Sequence, residues 1–164
     1  MRTPLLLSAT ATVLLFAVIT VLAPEPIPDT KFGADTDRIA AILVELSDAG
    51  HLDAYRRMLV VDFFFPLAYT AFFVFALRAL FRGAFDRPGW YRGLSWVAVA
   101  ACVLDYVENT AVLIAVRSLP AHHPVLAVIG PVTTVKWIAV AVTVGSLLIG
   151  AGMIVIRRRP NRRR

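Results

Sequence analysis

Apolar residues come in four runs along this chain, 5–22, 58–80, 94–116 and 131–156, each interrupted by few polar side chains. A helix rises roughly 1.5 Å per residue, so about 20 such residues cross a hydrocarbon layer. Backbone polar groups must be paired there, so each run is expected to be a helix. The fold expected is an all-α membrane protein, a bundle of four transmembrane helices. The segment 24–57 has a different pattern. Pro24, Pro26 and Pro28 stiffen its start. Then Ile39, Ile42, Leu43 and Leu46 recur at helical spacing among Asp37, Arg38, Glu45 and Asp48, which predicts a short amphipathic helix. Asp35 or Thr36 suits its start and Gly50 its end. Such a helix lies on the interface or covers the bundle mouth, or else gates a site below it.

Composition agrees with this pattern. Of 164 residues 59% are apolar and 17% charged, and the mean hydropathy is +0.73. These values exclude a disordered chain and argue strongly against a water-soluble enzyme. One transmembrane domain, 1–156, is expected, followed by a basic tail, 157–164. The net charge of +6 is concentrated in that tail, which holds six of the seventeen basic residues. With the N-terminus inside, Arg2, Arg78, Arg82, Arg87, Arg92 and the tail put eleven basic residues on the inner side. Lys31, Arg38, Arg56, Arg57 and Arg117 put five outside. That excess predicts an N-in, C-in orientation in the cytoplasmic membrane, with Trp90, Tyr91 and Trp96 at the inner interface. The tail is suited to anionic lipids, and nucleic acid is not an expected partner. Only Lys31 and Lys136 among the basic residues are lysines, a bias that suggests a GC-rich bacterial genome. The first run has some character of a signal peptide, but Pro24 directly after Val21-Leu22-Ala23 disfavours cleavage, so a retained helix is expected.

Four ionisable residues interrupt the apolar runs: Asp62, Asp105, Glu108 and Lys136, accompanied by Tyr69 and Asn109. A charge at mid-membrane costs about 2.5–3.5 kcal/mol on insertion scales, so such groups face the protein interior and find partners. Asp105, Glu108 and Asn109 are related by i, i+3 and i+4 and so share one helix face. Asp62 and Tyr69 lie seven residues apart, on one face of the second run. Pro66 cannot donate to the Asp62 carbonyl, which frees an acceptor beside the carboxylate. Thr133, Lys136 and Thr143 roughly align on the fourth run, and Lys136 either reaches inward to Glu108 or snorkels to the headgroups beside Trp137. With all four groups in one place and ionised, three acids meet one base and the cluster carries −2. Either a proton or a bound cation must offset that charge. Ser146 and Gly150 form a small-xxx-small surface for close helix packing.

The pattern Asp105-x-x-Glu108-Asn109 followed by Thr133-x-x-Lys136 resembles that of small, uncharacterised four-helix bacterial integral membrane proteins. The resemblance covers nearly the whole chain; it implies the fold and brings no activity with it.

Three functions remain. The leading one is binding or transport of a proton, cation or small amine at Asp62, Tyr69, Asp105, Glu108, Asn109 and Lys136. Four helices are few for an alternating-access carrier, so a pathway would need a homo-oligomer or a larger membrane partner. The alternative is a structural or accessory subunit whose polar stripe sets helix register. A lipid-modifying enzyme using a carboxyl as general acid or base comes third. No Ser–His pairing or phosphate loop supports it, and no catalytic residue is assigned. His51, His122 and His123 fall outside the runs at no metal-ligand spacing, and Cys102 is the lone cysteine, so no metal or cofactor is expected.

Overall fold

The computed structural model describes residues 2–84, 89–121 and 123–158. Arg87, His122 and the tail beyond 158 lie outside the described residues, as do the side chains of Arg82, Trp90, Tyr91, Arg157 and Arg158. The elements are α1 (Arg2–Leu22), a 3-10 turn (Pro28–Thr30), α2 (Thr36–Asp48), α3 (Leu52–Asp62), α4 (Phe65–Ala84), α5 (Gly89–Ser118) and α6 (Leu126–Arg158). There is no strand among the described residues. Four stretches are long and apolar enough to cross a membrane: Arg2–Leu22, Leu52–Phe81, Arg92–Ser118 and Leu126–Ile156. Leu6, Leu7, Val13, Leu14, Leu148 and Ile149 are exposed on their flanks, more apolar surface than a soluble monomer shows.

The helices depart from the expected runs in two places. The second run is not one helix but two, α3 and α4, broken at Phe63 and Phe64. Pro66 has no N–H and would crowd the preceding turn, so the helix stops and restarts with the proline in its first turn, where no donor is required. The side-chain donor at this break is Tyr106, whose hydroxyl donates at 2.7 Å to the carbonyl of Phe63 rather than that of Asp62. The fourth helix begins at Leu126 rather than Pro131, which sits within its second turn. So early in a helix, a missing N–H leaves only one carbonyl without an intrahelical partner.

The α2 end of the bundle is closed by a packed apolar core. Ile39, Ile42, Leu43 and Leu46 of α2 are buried with Tyr55, Met58 and Leu59 of α3, Val112 and Val116 of α5, and Ile129 of α6. α2 therefore covers the mouth of the bundle. Asp35 caps its start, its carboxylate accepting from the Arg38 N–H at 2.8 Å. Gly50 ends it at φ +71°. The Gly50 N–H donates to Ser47 O and the His51 N–H to Leu46 O, the paired bonds of a Schellman close. The segment before α2 is seated directly on α6. A Cβ at Gly130 would lie 2.0 Å from the Ala34 carbonyl oxygen, and the Gly33 N–H donates to the Thr134 hydroxyl at 3.2 Å. Near the other end Gly150 lets the Phe81 ring of α4 approach α6 closely.

Candidate functional site

The inward face of α5 is layered. Ala98 and Ala101 pack with Tyr69 and Phe73 of α4 in one apolar cluster. Ala111, Val112, Ala115 and Val116 belong to the core under α2. Between the two layers come Asp105, Glu108 and Asn109, all buried. The i, i+3, i+4 spacing on one face thus becomes a polar layer enclosed by apolar ones.

α6 supplies the base. Lys136 is 7% exposed, so its side chain turns inward and does not snorkel. Its Nζ pairs with Asp105 Oδ1 at 3.0 Å and also with Glu108. It also lies 5.6 Å from the ring centroid of Trp137, in cation–π range. The Thr133 hydroxyl, one turn earlier, lies within hydrogen-bonding reach of both Glu108 and the Ile129 carbonyl. With one proton, it donates to one of them at a time. α4 adds Tyr69, whose hydroxyl donates to Asp105 Oδ2 at 2.7 Å. Asp105 thereby joins three helices, taking one bond from α4 and one ion pair from α6.

Asp62 ends α3, immediately before the break, and is half-buried. Asn109 Nδ2 donates to its Oδ2 at 2.7 Å. The other end of that amide, Asn109 Oδ1, is buried without a hydrogen-bond partner among the described residues. A buried acceptor left unmade costs about 1–3 kcal/mol.

The six residues singled out in the sequence therefore fall in one layer as two bonded groups, Tyr69 with Asp105, Lys136 and Glu108, and Asp62 with Asn109. Thr143 does not join it; its hydroxyl bonds back to Ala139 O in its own helix. His123 uses Nδ1 to accept from the Val125 N–H. Among the described residues no three His, Cys, Asp or Glu side chains converge as metal ligands.

Beside the polar layer lies a cavity of about 330 Å³, at the small end of the roughly 300–1,000 Å³ of ligand pockets. Asp62, Asp105, Lys136 and Tyr69 form its polar wall, and Phe16, Phe65, Phe73 and Trp137 are the aromatic part of its lining. Residues 65, 69 and 73 make a ladder along one face of α4, with ring centroids 5.3 and 5.6 Å apart. That aromatic i, i+4, i+8 series went unread in the sequence, although its spacing is a signal that could have located this wall. The part contributed by α1, from Thr12 to Ile19, gave no such signal, because every face of α1 is apolar. Comparison with protein-family models, curated proteins and solved structures returned no match to this chain.

Proposed function

We propose that the chain is a multi-pass protein of the cytoplasmic membrane, N-in and C-in, that binds a monovalent cation of the ammonium type at its acidic layer. The observation that carries this reading is the cavity with two carboxylates, Asp62 and Asp105, on an aromatic wall. Three carboxyls and one lysine share the layer, so with all four ionised one positive charge lowers its net charge from −2 to −1. Aromatic faces favour the same ligand, since their quadrupoles attract cations. Transport by this site requires further helices, from a second copy or another membrane protein. The basic tail, in this orientation, rests on anionic lipids of the inner leaflet.

Methylammonium is the probe. Titrated into the protein in lipid nanodiscs against potassium at equal ionic strength, it is expected to raise the unfolding temperature of the wild type and leave Asp62→Asn unmoved. Equal shifts with both salts, or in both proteins, defeat the proposal.

A second reading has its own support. The Lys136 pairs to Asp105 and Glu108 are buried, connected and hydrogen-bonded, as a network that only fastens α5 to α6 would be. In that case the protein is a structural or accessory subunit, and Asp62→Asn has no effect on any ligand response.

A further inference from the structure

The cavity beside the polar layer is long and runs with the bundle axis. Ile27 and Thr30 mark its α2 end, and Phe16, Phe73 and Val140 line its deeper part. Along α1 its lining extends from Ile19 to Thr12, roughly 10 Å at helical rise. Thr12, Asp105 and Val140 stand at or within one residue of the midpoints of the apolar stretches Arg2–Leu22, Arg92–Ser118 and Leu126–Ile156. The cavity thus reaches from the α2 end to mid-span, the share of one leaflet in a hydrocarbon core about 30 Å thick. One side is open. α1 packs on α3 and α4 and has no substantial contact with α6 among the described residues. Phe16 of α1 is 60% exposed and Trp137 of α6 43% exposed although both line the cavity. Its rim therefore comes to the surface between these helices, where Val13, Leu14, Ile138 and Val142 are exposed and meet acyl chains in a membrane. The polar wall opposite makes its bonds within the protein. Lys136 pairs with Asp105, Tyr69 donates to Asp105, and Asn109 donates to Asp62. Hydrocarbon laid against such a wall displaces none of these partners.

We infer that the cavity holds one acyl chain of a bilayer lipid, inserted sideways between α1 and α6 from the leaflet on the α2 side. The chain lies along the bundle axis with its end against Phe73 and Val140 near mid-span. Its headgroup stays outside the bundle, because Ile27 and Met58 belong to the packed core that closes the α2 end. Apolar side chains facing an unfilled space lose their dispersion contacts, and a methylene chain restores them. The depth of the cavity, its opening toward lipid and its aromatic lining each fit this occupant. The inference goes beyond the cation-binding reading and does not rest on it: the chain uses the apolar lining, the cation the acidic wall.

The test is photolabelling of the full chain in nanodiscs of phosphatidylcholine that carries a diazirine near the end of one acyl chain. Phe73 is the diagnostic position, since it is only 8% exposed and lines the cavity. Leu148, exposed on α6, reports ordinary lipid contact. Both are expected to be labelled, and a diazirine on the headgroup is expected to label neither. Thr12→Phe and Val140→Phe fill the cavity from opposite sides, and each is expected to lower labelling of Phe73 severalfold while leaving Leu148 unchanged. Should one of them fail to fold, the other still decides. Asp62→Asn, which removes the cation site, is expected to leave labelling of Phe73 as it is. Labelling at Leu148 without any at Phe73 overturns the inference, as a cavity filled by water would give. Labelling of Phe73 that survives both filling variants overturns it too, because the chain then reaches Phe73 by another way. Loss of Phe73 labelling in Asp62→Asn overturns the apolar basis of binding. Failure of methylammonium to bind leaves the inference standing.

Discussion

Lys136 of α6 pairs with Asp105 of α5 at 3.0 Å in a place where both side chains are almost wholly shielded from solvent. Glu108, fully buried one turn along α5, takes the same ammonium. Two acids on one base make the lysine the group on which both carboxylates depend. Lys136→Met is expected to destabilise the protein by about 3–5 kcal/mol, the cost of leaving buried charge uncompensated. Glu108→Gln in the same chain should recover at least about 1 kcal/mol of this, a coupling typical of contacting residues. Thermal unfolding in mild detergent of wild type, both single variants and the double variant reads it out. Strict additivity would show that Lys136 and Glu108 do not interact.

Tyr106 holds the break between α3 and α4. Its hydroxyl donates to the Phe63 carbonyl, which the interrupted helix leaves open. Tyr106→Phe leaves that carbonyl without its side-chain donor and is expected to cost about 1–2 kcal/mol. Tyr69→Phe removes a bond from Asp105, but Lys136 still holds that carboxylate, so about 0.6 kcal/mol is expected, the mean for helix-joining bonds in membranes. The order of the two unfolding temperatures is the measurement; equal values would mean that the break needs no side-chain support.

Much of this arrangement was legible in the sequence, for physical reasons that also explain what was not. Hydrocarbon admits few backbone conformations, so four apolar runs led directly to helices. The cost of buried charge made the stripe at 105, 108 and 109 point inward before any partner was known. The direction of Lys136 was not legible, because a lysine near a helix end satisfies its charge equally well in headgroups or in a carboxylate pair. Nor was the break at Phe63: Pro66 announced a lost hydrogen bond, but whether a helix kinks or stops there depends on a tertiary donor, Tyr106, forty residues away. The cavity was hidden for a similar reason. It is walled by residues of α1, α3, α4, α5 and α6, and such a space depends on how neighbouring helices fail to meet.

Gly130 sets the distance between the segment before α2 and α6. A Cβ there would stand 2.0 Å from the Ala34 carbonyl, and neither backbone is free to yield. Gly130→Ala is expected to cost about 1–3 kcal/mol, as overpacking does, and to expose residues 24–35 to protease. Gly145 and Gly152, also in α6, have nothing within 4 Å of such a Cβ. Alanine at either is expected to be neutral or to stabilise by about 0.5–1 kcal/mol. A protease pattern in Gly130→Ala matching the wild type would contradict the close seating of this segment.

The basic residues predict a topology that reporter fusions can check. With eleven inside and five outside in the N-in arrangement, alkaline phosphatase joined after residue 164 is expected to be inactive in a bacterial host. The same reporter inserted at Gly50, in the turn between α2 and α3, is expected to be active. The reverse pattern would place the α2 end on the cytoplasmic side. It would not alter the geometry of the acidic layer, only the side of the membrane that the layer lies nearer.

Asp62 is where the ligand-binding and structural readings part most clearly. It accepts from Asn109 and lines the cavity, but the two ion pairs of Lys136 go to Asp105 and Glu108. If the site is built for a cation, the layer without one carries more negative charge than its surroundings favour. Neutralising an acid should then relieve it, as often happens where stability is given up for function. Asp62→Asn keeps the size of the side chain and an oxygen acceptor for Asn109, so the charge is the main change. It is expected to stabilise the ligand-free protein by about 1 kcal/mol, the reverse of what Lys136→Met does, and to abolish the response to methylammonium. Unfolding temperatures with and without methylammonium chloride decide it. A loss of stability above about 1 kcal/mol would instead make the Asp62 charge a structural partner of the layer, since a net stabilising carboxylate is one whose environment already supplies its counter-charge.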